Sequence, residues 1–340
     1  MKYVWGLISL LLGAVAVLSV RPDLFGLSSY ELQFPLAQLI AMRGVLAVIF
    51  LVCALMLGVF AGVRYKLVNA GRIAGALAAV LLVVAATHAG TVWWRGVSNP
   101  DRLTVDQGVS PQGEGNGQIA VLTYNTLGGA TDSPQLADVI TKEGVDVVVL
   151  PETSTARGQE LVKHLAAEGV QFQQFDTATS QYNAEFESTV VLVSRALGPY
   201  EATDVANSHR SGVSVAPVNG QGPHIFGVHP VAPDYSLMSA WRKEITQTYA
   251  LCSATGPFIM AGDFNSTVDH QRALGVECAD AGAQAGSAGL GSWPASLPSF
   301  FAAPIDRVIT DGSYTGTEAR LVKVGGSDHR GLLVRLAPKK

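Results

Sequence analysis

The chain has 340 residues, 48% of them hydrophobic and only 15% charged, with a net charge of −4. The length leaves room for about two domains, and the composition excludes an ordinary soluble protein. The apolar excess is uneven: residues 1–117 carry 8 Lys+Arg against 5 Asp+Glu, whereas residues 118–340 carry 15 against 22, a net of −7.

The chain opens on three apolar stretches. Residues 3–20 and 73–89 hold no charge, and 36–63 hold only Arg43. About 20 apolar residues cross the hydrocarbon core as a helix, with a lower limit near 17. Residues 1–95 are therefore predicted to be a membrane region with three transmembrane helices, about 3–20, 40–62 and 73–90. Tyr3, Trp5, Trp93 and Trp94 stand near the ends, as interface anchors do. Lys2 before an apolar run also fits a signal peptide, but Val20-Arg21-Pro22-Asp23 offers no small-x-small cleavage site, so a retained helix is expected. Arg64, Lys66 and Arg72 lie between the second and third spans, while the first loop balances Arg21 against Asp23 and Glu31. Lysine and arginine favour the cytoplasmic side, which puts everything after Trp94 outside the cytoplasm. Arg43 is expected to snorkel to the outer interface. Cys53 reads as a small buried residue. Cys252 and Cys278 suit a disulfide in an oxidising compartment, or are two separate buried thiols.

Residues 96–117, rich in Pro and Gly, read as a linker. From 118 to 340, strand-length apolar runs (119–123, 145–150, 190–193, 224–228, 258–261, 305–309, 332–336) alternate with helical patterns (135–143, 158–168, 239–254, and from 270). Continuous runs such as Val147-Val148-Val149-Leu150 suggest strands covered on both faces. The expected class is an α/β or α+β layered domain, large enough for a full core. The Ala/Gly-rich residues 279–291 read as a flexible loop.

Chemistry-bearing residues stand at the strand ends: Asn125, Glu152, His229, Asp263 and Asn265 in Gly262-Asp263-Phe264-Asn265, Asp306, and Asp328 and His329 in Ser327-Asp328-His329. Singly each has a bland reading. Asn125 is a turn former, Glu152 a surface carboxylate, His229 a core histidine and Gly-Asp-Phe-Asn a tight turn. Together they suit one cleft of a metal-dependent phosphate ester hydrolase.

This order of residues resembles the endonuclease/exonuclease/phosphatase superfamily, the DNase I-like phosphoesterases, from about 118 to 336. The resemblance implies a four-layer sandwich, two mixed β-sheets flanked by helices. Gly-Val-His-Pro around His229 resembles the branch with DNase I and the sphingomyelinases, where that histidine pairs with a glutamate; Glu187 stands at a loosely matching position. The three spans and Ser292-Trp293-Pro294 look like the VanJ-type membrane phosphoesterases.

The roles implied follow from residue types. Mg²⁺, with Mn²⁺ or Ca²⁺ as alternatives, takes oxygen ligands, here Glu152, Asn125 and Asp328. Asp263 orients and deprotonates a water, Asn265 donates to a phosphate oxygen or positions Asp263, and Asp306 orients His329 as a phosphate donor. His229 is a second donor or the leaving-group acid. Arg210 and Arg242 are further phosphate-binding positions to consider, and Trp293 a pocket wall. A nuclease needs a basic track, which a net −7 domain without a Lys/Arg cluster does not offer. A tether instead concentrates the cleft near lipid-borne substrates. The expected partner is a membrane lipid or lipid-linked phosphate or pyrophosphate, and the expected location the cytoplasmic membrane, multi-pass, with the catalytic domain extracytoplasmic. A membrane-anchored nuclease is the alternative.

Overall fold

The computed structural model describes residues 2–105, 108, 116–177, 185–204 and 211–339. The chain divides into two compact units, Met1–Trp94 and Arg95–Lys340.

The first unit holds α1 (Lys2–Leu18), α2 (Leu36–Ala41), α3 (Arg43–Val68) and α4 (Arg72–Trp94). By length and composition α3 and α4 can each cross a membrane, with mean hydropathies of 2.8 and 2.0, while the apolar helix over Gly6–Leu18 is shorter. Three spans are thus reduced to two clear candidates and one short apolar helix. The basic loop is also shorter than expected, because Arg64 and Lys66 continue α3. The chain reverses at Gly71, where a Cβ would lie 2.5 Å from the Ala61 carbonyl oxygen. Arg43 does not snorkel. It is 5% exposed, its Nη1 lies 3.3 Å from His88 Nδ1, and the buried His88 ring meets Ser19 Oγ at 3.0 Å through Nε2. Polar partners inside the helix group make the inward orientation of a charge less costly than bare burial.

The second unit is built from two six-stranded sheets. In chain order its elements are β1 (Ile119–Thr123), α5 (Ser133–Glu143), β2 (Val147–Pro151), α6 (Thr155–Ala167), β3 (Phe172–Asp176), β4 (Thr189–Ser194), β5 (Tyr200–Ala202), β6 (Val213–Pro217), β7 (His224–Val228), α7 (Met238–Ala250), β8 (Phe258–Asp263), α8 (Val268–Ala273), β9 (Ala279–Asp280), α9 (Ala281–Gln284), β10 (Asp306–Thr310), β11 (Tyr314–Val322) and β12 (Gly331–Pro338). The sheet orders are β11-β12-β1-β2-β4-β3 and β5-β6-β7-β8-β10-β9. Each sheet is mixed, since β1 and β2 run parallel, as do β7 and β8, among antiparallel neighbours.

Alternation along the strands builds the layers. Val121, Val147, Val149 and Val191 join Val215, Ile225, Ile259 and Val308 in a core shared by both sheets. Leu122, Val148, Leu150 and Leu192 point the other way, onto Leu136, Ile140, Leu161 and Leu165 of α5 and α6. On the second sheet α7 buries Trp241, Ile245 and Tyr249, the last stacked on Phe264. Asp132 and Ser154 cap α5 and α6 by accepting backbone N–H groups.

Two segments expected to be loose are ordered. Residues 279–291 contain β9 and α9, because Gly316 lets the Ala281 carbonyl approach where a Cβ would lie 2.0 Å away. The described residues 96–105 of the expected linker are bonded to the second unit. Just before them Arg95 forms a two-pronged ion pair with Asp269 at 2.6 and 2.9 Å; within them Leu103 N–H donates to Glu143, and Thr104 bonds Glu318. Cys252 and Cys278 are disulfide-bonded, with Cα atoms 5.8 Å apart, and Cys53 is exposed rather than buried.

Candidate active site

The topology carries every strand-end residue to one end of the sheets. Parallel β1 and β2 run out into Asn125 and Glu152, and parallel β7 and β8 into His229 and Asp263. The antiparallel partners begin there: Asp306 of β10 pairs with Asp263, and β12 starts just after His329 with Leu332 opposite Thr123. Gly262 is required by this convergence. At φ +153 its missing Cβ would lie 1.9 Å from the Val228 carbonyl oxygen.

Asn125 joins the two sheets. Its Nδ2 donates to Glu152 Oε1 at 2.9 Å and to Asp263 Oδ2 at 3.1 Å. Its Oδ1 accepts the Leu127 N–H at 3.0 Å, which fixes the amide orientation, since a flip would set N–H against N–H. The oxygen expected to ligate a metal therefore faces the backbone, and the nitrogen faces the site. Glu152 and Asn265 both hold left-handed backbone, at φ 53 and 45; this is common for asparagine and unusual for glutamate. Asn265 N–H donates to Asp263 Oδ1 at 2.8 Å, its Nδ2 donates to the Pro230 carbonyl, and its own carbonyl accepts the Trp241 indole N–H.

His329 Nδ1 and Asp306 Oδ2 are 2.7 Å apart, and His329 Nε2 lies 3.6 Å from Asp263 Oδ2. Burial works against the charged imidazole, but Asp306, Asp263 and Asp328 outweigh it and push His329 up to about 10. The Asp306 carboxyl is pushed up by burial and pulled back by the imidazolium; the proton of this pair belongs on the ring, where three carboxylates hold it. His229 Nε2 sits 3.7 Å from Glu152 Oε1 and 4.0 Å from Asp263 Oδ2. Asp328 turns instead to Trp293, whose indole N–H it accepts at 2.9 Å. No contact joins Asp328 to Glu152 among the described residues.

Three carboxylates (Glu152, Asp263, Asp306) thus face one imidazolium, a surplus of negative charge that opposes an anionic phosphate. The donor set fits a hard cation. Burial pushes the Glu152 carboxyl up, with the Asn125 hydrogen bond opposing, and its Oε2 is buried with no hydrogen-bond partner. Asp263, Asp306 and His329 bring ligand atoms within 4.8 Å of one another, but Asp306 and His329 are committed to each other. Both Asp263 oxygens accept hydrogen bonds, from Asn125 and Asn265, whereas Glu152 Oε2, Asp306 Oδ1 and Asp328 Oδ1 are buried without a hydrogen-bond partner; Glu152, at the site and with one oxygen spare, is the clearest group to face a cation.

Several supporting residues escape a reading of the sequence. Ser327 Oγ donates to the Asn125 carbonyl and accepts the His329 N–H. Ser292 Oγ accepts the Asp306 N–H, and Arg330 holds the Ala295 and Leu297 carbonyls. Ser327 and Ser292 sit inside Ser-Asp-His and Ser-Trp-Pro, so the motifs were the available signal. Arg307, fully desolvated against Asp280, Tyr249 and Gln271, gave none. Arg210 lies outside the described residues. Glu187 and Arg242 make no contact with His229 or Asp263 among the described residues.

Residues 122–329 match the Endonuclease/Exonuclease/phosphatase family. No curated protein matches the chain. Among solved structures, D. rerio TDP2 complexed with single strand DNA product is 16% identical with a TM-score of 0.51, covering 65% of this chain and 99% of that one. A D. rerio TDP2 humanized by 14 mutations is 17% identical at TM-score 0.50, covering 64% and 98%. An endonuclease/exonuclease/phosphatase from Beutenbergia cavernae DSM 12333 is 20% identical at TM-score 0.48, covering 65% and 72%. At these identities the structural likeness speaks for the fold alone, and the matched span, more than half of the chain, carries the assignment: this chain belongs to the Endonuclease/Exonuclease/phosphatase family.

Proposed function

We propose that this protein is a membrane-anchored, divalent-metal-dependent phosphoesterase acting on a lipid or lipid-linked phosphate or pyrophosphate, with its catalytic unit outside the cytoplasm. The observation that carries the chemistry is the convergence of Glu152, Asp263, His229 and the Asp306–His329 pair around the Asn125 amide. Members of this family are hydrolases of phosphoester bonds and are typically divalent-metal dependent. Bound there, Mg²⁺ would neutralise phosphate charge and polarise a phosphoryl oxygen.

The chain's own groups supply the rest. Glu152, with its spare oxygen, would hold the cation; Asn125 keeps both carboxylates in place rather than ligating. Asp263 Oδ2 is the base for the attacking water, its other oxygen being fixed by the Asn265 N–H. His329, protonated and oriented by Asp306, donates from Nε2 to a phosphate oxygen. His229 Nε2 donates to the phosphate or protonates the leaving oxygen. Asp328 positions Trp293 at the pocket edge.

The lipid preference rests on α3 and α4, long and apolar enough to cross a membrane, and on the net −7 of residues 118–340. Within the family this reading points to the VanJ-type branch, on the apolar N-terminal helices and Ser292-Trp293-Pro294. A nuclease is the second reading, favoured by the shared phosphodiester chemistry and by the neighbour crystallised with a DNA product. The test is hydrolysis by the purified full chain, with and without Mg²⁺, of polyprenyl pyrophosphate, phospholipids and plasmid DNA. DNA cleavage at a rate matching the best lipid substrate overturns the lipid reading.

A further inference from the structure

The second unit begins at Arg95, and residues 95–98 bind two segments that support the catalytic carboxylates. The Arg95 guanidinium meets Asp269 of α8 at 2.6 and 2.9 Å, and the two side chains are only 12% and 6% exposed. The Gly96 carbonyl accepts the Gly289 N–H, and the Ser98 N–H donates to the Gly286 carbonyl, each at 2.8 Å. Only glycine allows this approach, since at φ +92 a Cβ on Gly96 would stand 2.1 Å from the Gly286 carbonyl oxygen.

Both segments lead to the site. α8 has six residues, too few to hold a place without tertiary support. Its His270 closes a capping box with Thr267 and sets its ring edge-on to Trp241, 5.2 Å between centroids. The Trp241 indole N–H holds the Asn265 carbonyl, and the Asn265 N–H holds Asp263 Oδ1. The next residue, Gln271, accepts from Arg307, the neighbour of Asp306. The 286–289 segment runs on to Ser292, whose Oγ accepts the Asp306 N–H. Asp306 Oδ1 is buried with no hydrogen-bond partner. Asp306 also lines a cavity of about 20 Å³ together with Val268 of α8 and Ser287. Beyond its bond to His329, the Asp306 carboxyl is thus placed by walls that residues 95–98 hold.

We propose that Arg95 is a positioning residue for hydrolysis: through Asp269 it fixes α8, and α8 keeps Asp263 and Asp306 in register with His329. The two-pronged pair sets the orientation of α8 as well as its position. An exposed pair contributes little, but this one is largely withdrawn from solvent and from screening by salt. The site is sensitive to such a brace because His329 spans both carboxylates, 2.7 Å from Asp306 and 3.6 Å from Asp263. A misplacement of about 1 Å from a remote change can cost about 100-fold in rate.

This inference rests on the phosphoesterase reading. The test uses the full chain, its Arg95→Gln and Arg95→Lys variants, and the neutral pair Arg95→Gln/Asp269→Asn. Amide hydrogen exchange is measured beside kinetics on a water-soluble phosphodiester with Mg²⁺. In Arg95→Gln, amides of residues 263–273 and 286–292 should exchange about tenfold faster, while β1, β2 and β4 keep their rates. Its kcat should fall about tenfold or more, with KM within about twofold of the parent. Arg95→Lys should recover part of kcat. The neutral pair should fall no further than Arg95→Gln, because the two residues act as one. If Arg95→Gln does not fold, the neutral pair, which leaves no lone carboxylate opposite position 95, carries the same readouts. Unchanged exchange, faster exchange throughout the unit, faster local exchange with kcat unchanged, or losses that multiply in the neutral pair overturns the proposal. Exchange is read without turnover. Local loosening in a chain whose parent hydrolyses no phosphate ester sinks the phosphoesterase reading alone, and parental hydrolysis that Arg95→Gln leaves unchanged sinks this inference alone.

Discussion

Replacing Asp306 by Asn isolates the charge logic of the site. The imidazolium of His329 is held at about 10 against an ordinary 6.5, which corresponds to about 5 kcal/mol of preference for the charged ring. Asp263 and Asp328 supply part of this and remain, so the substitution removes about 3 kcal/mol and returns His329 toward neutrality near pH 7. The sign follows from the raised value. The contribution of His329 to stability is complete below about 6.5 and is lost as pH rises through about 10. In Asp306→Asn that loss moves to lower pH. With a water-soluble phosphodiester and saturating Mg²⁺, kcat at pH 7.5 should fall about 100-fold or more. The parent should keep its activity to about pH 9, whereas the variant declines from about pH 7. Asp306→Glu, which keeps the charge, should recover part of the alkaline limb. A variant within threefold of the parent, with the same alkaline limb, would refute the assignment of His329 as a cationic donor held by Asp306.

Glu152→Gln should weaken activation by Mg²⁺ about 10–100-fold in a metal titration of rate, with a thermal midpoint no lower than the parent's because a buried, partly unpaired carboxylate is removed. Asp146 is pushed up to about 7 by burial, opposed by the Ala120 N–H. The folded chain thus keeps a proton that the unfolded chain releases near 3.8, and stability falls as pH rises between those values. Asp146→Asn should therefore stabilise the chain at pH 8 by on the order of 2–4 kcal/mol and change little near pH 4, as read by thermal denaturation at both. Gly262→Ala forces a Cβ to 1.9 Å from the Val228 carbonyl oxygen; it should cost about 3 kcal/mol or more and lower activity together with the melting point.

The central strands were legible because burial on both faces leaves unbroken Val/Ile/Leu runs, and β1 and β7 matched residue for residue. The edge strands β3, β5 and β11, and β6 beside β5, were not, since Phe172–Asp176 and Tyr314–Val322 mix polar residues into half-buried surfaces. Residues 279–291 misled because Ala and Gly mark close packing as readily as flexibility. At the site, the residue types and their strand-end positions were readable. The orientation of the Asn125 amide was not, because it depends on the Leu127 backbone, and neither was the turning of Asp328 toward Trp293. Arg43 was placed at the interface because its partner His88 lies 45 residues away.

The most direct test is release of phosphate or phosphorylated headgroup by the full chain in bilayers, with Mg²⁺ added after chelation, beside Asp263→Asn. The account predicts hydrolysis of a lipid-borne phosphate ester that is restored by Mg²⁺ and lost in Asp263→Asn while the fold melts as before. Hydrolysis that survives both chelation and Asp263→Asn would contradict it.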